Sequence, residues 1–130
     1  MKDKRHQVAA IAALTEAAFA ASQARMGALK RREAELRDKI DALGASSRSA
    51  SQEDGLDPAA RAGADLLWQR WVEGRRSKLN VELANTLVAQ AQAKDKLAKD
   101  FGRHEAAKDL RRQHEVSARA DALRRAERFQ

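Results

Sequence analysis

The sequence predicts an all-α fold, a long antiparallel two-helix coiled-coil hairpin with a longer, projecting C-terminal helix. Three observations carry that expectation: a composition dominated by helix formers, a single stretch of turn formers, and apolar residues repeating every seven positions before it. Ala, Arg, Leu, Glu, Asp, Lys and Gln prevail, and the only aromatic side chains are Phe19, Trp68, Trp71, Phe101 and Phe129. With so few large side chains, the core of a chain of 130 residues is expected to be a seam between helices, burying less per residue than a globule would. One hairpin is expected over residues 1–130, with helices over about 3–43 and 58–128 and a polar loop over about 44–57.

The first helix rests on two interleaved series. Ala12, Phe19, Met26 and Ile40 occupy one seam position, interrupted by Glu33; Val8, Thr15, Ser22, Leu29, Leu36 and Leu43 occupy the other. Sustained over about five heptads, this spacing keeps one stripe turned toward a partner helix. Glu33 can set the register by pairing with an arginine such as Arg75, or lie at the edge of the seam in water.

The loop is the run from Gly44 to Asp57, rich in Ser, Gly and Asp and followed by the only proline, Pro58. Gly44 sits where a left-handed cap would end a helix, and Asp57-Pro58 places an N-cap acceptor before a proline suited to the first helical position. In the second helix, Leu66, Leu67, Trp68, Trp71, Val72, Leu79, Leu83, Leu87, Leu97 and Phe101 make a stripe of looser register. A fold point midway between Leu43 and Pro58 would set opposite each other residues whose numbers sum to about 101. Trp68 and Trp71 then fall near Glu33, Leu36 and Leu29, Leu79 near Ser22, Leu83 near Phe19, and Leu87 near Leu14 and Thr15. At 1.5 Å per residue the helices are roughly 60 and 105 Å long, so 98–130 should project unpaired.

Cysteine is absent, so disulfides and thiolate metal sites are excluded, in keeping with a reducing compartment. The Ala-rich run from Val8 to Ala21 is too short and too weakly apolar to span a membrane, and no signal-peptide cleavage region follows. The expected location is cytoplasmic, or peripheral at the inner face of the membrane through partners. Net charge is +7, with nine basic against six acidic residues in 1–43, seven against four in 58–97 and nine against six in 98–130. Such interspersion describes a solvated helix surface with a basic tilt. The basic clusters Lys30-Arg31-Arg32, Arg75-Arg76, Arg111-Arg112 and Arg124-Arg125 each have acids within a turn or two, which argues against nucleic acid as the partner.

Chemistry-bearing patterns are missing. His6, His104 and His114 offer no pair at three- or four-residue spacing, so no metal is expected; His104, with Asp100 and Lys108 at helical spacing, reads as part of a polar face. No glycine-rich phosphate loop precedes a Lys-Ser/Thr pair, no strand is evident, and two helices sharing one seam rarely supply a pocket. Neither a cofactor nor an enzymatic activity is expected. Trp68 and Trp71 share one helical face; they fill the core near the hinge, or one indole stands open as an anchor for another protein beside Arg70, Arg75 and Arg76.

The stretch Leu67-Trp68-Gln69-Arg70-Trp71-Val72-Glu73-Gly74-Arg75-Arg76-Ser77-Lys78-Leu79-Asn80-Val81-Glu82-Leu83-Ala84, followed by Lys96-Leu97-Ala98-Lys99-Asp100-Phe101-Gly102-Arg103, resembles the FliJ/YscO-type stalk family of bacterial flagellar and type III protein export. The residue-level likeness lies in Trp71, Arg75, Arg76, Leu79, Asn80, Leu83 and Phe101-Gly102-Arg103. The resemblance implies a non-enzymatic stalk or adaptor, shaped like the central stalk of a rotary ATPase. Its terminal end would enter a hexameric export ATPase ring, and it would also contact the export gate or export chaperones. Partner-binding candidates are Trp68, Trp71, Arg75, Arg76, Leu79, Asn80, Leu83, Phe101, Arg103, Arg111 and Arg112. Two other classes stay open: a basic, nucleic-acid-associated coiled coil, and a structural coiled coil in which two hairpins self-associate and hide the Trp face.

Overall fold

Two α-helices make up the described part of the chain, residues 2–50 and 57–129 of a computed structural model: α1 (Lys2–Ala50) and α2 (Pro58–Arg128). They pack against each other, and no strand occurs among the described residues. The start of α2 is where the sequence places it. Pro58 opens the helix, and the Asp57 carbonyl accepts the Arg61 N–H at 2.8 Å to close the first turn.

The end of α1 differs from expectation. Helix continues through Gly44 to Ala50, and residues 51–56 of the expected loop lie outside the described residues. A glycine in a helix costs only about 1 kcal/mol relative to alanine. Gly44 and Ser47 extend the seam beyond Leu43 as half-buried positions, so packing continues where local preference would stop the helix.

Every expected seam residue of α1 from Val8 to Leu43 is buried or half-buried. In α2 the buried line is stricter than the stripe expected. Val72, Leu79, Thr86, Asp100 and Ala107 are buried at seven-residue steps with Ala93 and His114 half-buried between and after them, and Leu83, Gln90, Leu97 and His104 run alongside. Leu66, Leu67, Trp71, Leu87 and Phe101, expected in the stripe, are exposed. A heptad seam is narrow, so an apolar residue one position off it stays in water.

The chain divides into two compact units, Gly27–Ala91 and the remainder. The hinge unit, Gly27–Ala91, has as its core Leu36, Leu43, Val72 and Leu79, with Ile40, Trp68 and Leu83 packed against them. Leu36 is fully buried, and each such side chain contributes about 1.5–3 kcal/mol. The register is shifted from the expected one. Partners here have numbers summing to between 114, for Arg32 with Glu82, and 123, for Glu33 with Gln90. Leu79 therefore joins Leu36 and Leu43 rather than Ser22, and Trp68 lies with Ser47 and Arg48 around a surface groove rather than near Glu33.

In the terminal unit, α1 up to Met26 pairs with α2 from Gln92 onward. Phe19 meets Phe101 at 5.5 Å between ring centroids and stacks on His104 at 5.4 Å and 14°, so its neighbour is not Leu83. The expectation that 98–130 stands unpaired is corrected for its first part, up to about His114, while Val116, Leu123 and Phe129 are exposed. Asp100, His104 and Ala107 sit in the seam, and Ala12 and Glu16 share a groove with Lys108 and Arg111.

Candidate functional site

Polar residues at seam positions are the first place to look for chemistry. Asp100 is only 3% exposed; it accepts a hydrogen bond from the Ser22 hydroxyl and one from Lys96 Nζ at 2.8 Å, with Arg103 at 3.7 Å. The Lys96 ammonium and then the Ser22 hydroxyl hold its carboxyl below the usual carboxylate range. A carboxylate so stabilised is a poor proton acceptor at neutral pH. It serves to match one place on α1 with one on α2.

Glu33 behaves alike in the hinge unit. Gln90 Nε2 donates to its carboxylate at 2.9 Å, and Arg37 approaches at 3.0 Å. These bonds, Gln90 foremost, lower its pKa. Its partners are thus Gln90 and its own-helix neighbour Arg37, not Arg75. The seam hydroxyls of Thr15 and Thr86 are satisfied by carbonyls of their own helices, at 2.9 Å from Ile11 and 2.8 Å from Glu82, so both pack like apolar residues. His104 is a seam residue stacked on Phe19, its Nδ1 buried and without a hydrogen-bond partner, and not part of a polar face. Among the described residues no three His, Asp or Glu side chains gather where they could hold a metal ion.

The sequence-predicted partner-binding residues fall in both units. In the hinge unit, Trp68 and Trp71 stack at 5.1 Å and 23°. Trp68 is half-buried against the core with its Nε1 enclosed and unbonded, whereas Trp71 is 55% exposed. Arg76 pairs with Glu73 at 2.8 Å, while Arg70, Arg75 and Lys78 make no hydrogen bond or ion pair with the described residues. Asn80 lies on a shallow groove with Ser77, Val81 and Ala84. Leu79 and Leu83 belong to the core, so they hold the helix and are not open to a partner.

In the terminal unit, Phe101 is half-exposed against Phe19, Arg103 lies beside Asp100, and Arg111 and Arg112 reach Glu115 and Asp109 at 3.7 and 3.6 Å. These last pairs are exposed and each worth at most about 1 kcal/mol, so the arginines exchange partners readily. Sequence reasoning missed Ser22–Asp100–Lys96 and Glu33–Gln90. Seven-residue counting back from Ala107 through Asp100 and Ala93 to Val72 would have found the first.

No helix among the described residues is long and apolar enough to cross a membrane. The chain matches no family model, no curated protein and no solved structure.

Proposed function

We propose that this chain is a non-enzymatic, protein-binding coiled coil of a bacterial flagellar or type III export apparatus, a stalk or adaptor for its hexameric ATPase. It works in the cytoplasm, reaching the inner face of the membrane through its partners. The observation that carries the reading is Trp71, a large aromatic residue left 55% in water and held in place by stacking on Trp68. An indole fixed before binding and flanked by arginine is the side-chain chemistry of interface hot spots. The residue-level likeness to stalk proteins, which includes Trp71, Arg75, Arg76 and Asn80, supplies the apparatus. The hinge unit would meet the export gate or a chaperone, and the exposed Arg111 and Arg112 the ATPase.

Co-purification from cells carrying the apparatus tests this. A truncation after Lys99 would remove the seam residues Asp100, His104 and Ala107, so side-chain changes serve better. The full chain is expected to retain the ATPase and a gate or chaperone component. Arg111→Ala with Arg112→Ala should release the first, and Trp71→Ala the second. Retention of neither by the unaltered chain overturns the proposal.

Phosphate recognition is the less supported reading. Arg32, Arg76, Arg111, Arg112 and Arg124 each have an acid within 4 Å, so the basic clusters are partly neutralised.

A further inference from the structure

All exposed large apolar side chains described in the hinge unit lie on α2: Leu66, Leu67, Trp71, Val81, Leu87 and Val88. Four of them fall on one line. Leu67, Trp71, Gly74, Lys78, Val81 and Val88 are spaced by three, four or seven residues, all exposed. Trp71 precedes the seam residue Val72 by 100° of rotation and Val81 follows Leu79 by 200°, so the line runs along the side of α2 turned from α1. It is about 30 Å long, the length of a twenty-residue helix. Gly74 leaves open space, with nothing within 4 Å of where a Cβ would stand, and the groove at Ser77, Asn80, Val81 and Ala84 lies beside it. An apolar line with a gap and a groove fits the side chains of an added helix.

The charge along this line selects the occupant. Among the described residues Arg70, Arg75 and Lys78 have no ion-pair partner, while the nearby acids Glu73 and Glu82 are taken up by Arg76 and Arg32. The face thus presents three uncompensated cations around an apolar line. A second copy would bring the same cations against their equals, in a chain of net charge +7. A polyanion would leave the apolar line without a partner.

We infer that this face of α2 receives an acidic amphipathic helix of another protein, its apolar residues meeting Leu67, Trp71 and Val81 and its carboxylates meeting Arg70, Arg75 and Lys78. This deepens the partner-binding reading of Trp71 and rests on it. Trp68 and Trp71 are the only tryptophans and stack on each other, Trp68 against the core and Trp71 on this face, so an emission change that is lost in Trp71→Phe reports this face.

The test uses the full chain and three stapled helical peptides of twenty-one residues. One has leucine at heptad seam positions and glutamate beside them, one has the same leucines with lysine, and one has glutamate with serine in place of leucine. Saturable displacement of the tryptophan emission by the acidic leucine peptide is expected. Binding should weaken at least tenfold in Arg70→Glu with Lys78→Glu, whose helix content is checked by circular dichroism, and the lysine and serine peptides should not bind. Equal binding of acidic and basic peptides, or no binding of any, overturns the inference. So does a concentration-dependent emission change in the chain alone with dimer in sedimentation, or a duplex DNA that binds and is lost on the same charge reversals. If the peptides fail while Trp71→Ala still releases the gate or chaperone from the full chain, the acidic-helix inference falls and the partner-binding reading stands.

Discussion

Asp100 occupies a place on the seven-residue line of α2 where burial would ordinarily demand an apolar side chain. It is tolerated because Ser22 and Lys96 satisfy it, the lysine keeping its own ammonium in water. Its lowered pKa, like that of Glu33, ties stability to pH. The contribution is complete above the unfolded carboxylate range, near pH 4, and is lost as pH falls through the lower native values. Thermal unfolding followed from pH 7 to 3 should show a falling Tm, and Asp100→Ala should flatten part of that fall. Asp100→Ala alone strands the Ser22 hydroxyl, so adding Ser22→Ala should recover some of the lost Tm; a further drop would contradict the pairing. The two tryptophans should separate by role. Trp71→Ala is expected to cost about 1 kcal/mol, the loss of its stacking on Trp68, while Trp68→Ala, at the core, should cost about 2 kcal/mol or more in chemical denaturation.

At the scale of the helices, Gly44 decides between a capped end and a continuing helix. A left-handed cap would make Gly44→Ala destabilising. Within α1, with nothing within 4 Å of a new Cβ, the same change should stabilise by about 1 kcal/mol, read from the denaturation midpoint. Leu36→Ala, at a fully buried position, should cost about 2–5 kcal/mol. The α1 seam was legible because its residues, from Val8 to Leu43, are mostly apolar at heptad spacing. The register was not, because it is fixed by Glu33 with Gln90 and Ser22 with Asp100, polar partners that a count of hydrophobic residues passes over. The α2 line was misread for the same reason: Thr86, Ala93 and Asp100 are small or polar, while Leu66, Leu67 and Trp71 are large and lie outside. Of the expected site, residue type alone left open whether Trp71 fills the core or stands exposed; its place off the seam decides that it is exposed. Which leucines were core was not legible either, since Leu79 and Leu67 differ only by their place relative to the seam.

Across the molecule, charge and apolar surface are distributed unequally. Cations exceed acids in each helical third of the sequence, and many are paired within a turn; Arg70, Arg75 and Lys78, without an ion-pair partner among the described residues, are the ones near exposed Trp71. That combination favours protein partners bearing acid and apolar groups over bare phosphate. Raising salt from 0.05 to 0.5 M should weaken partner binding without abolishing it, since the apolar contribution is retained. The stalk reading is tested most directly by ATP hydrolysis of a purified hexameric export ATPase titrated with the full chain. A saturable change in rate, absent with Arg111→Ala and Arg112→Ala together, is the expected result; hydrolysis unaltered at every concentration of the folded chain would contradict it.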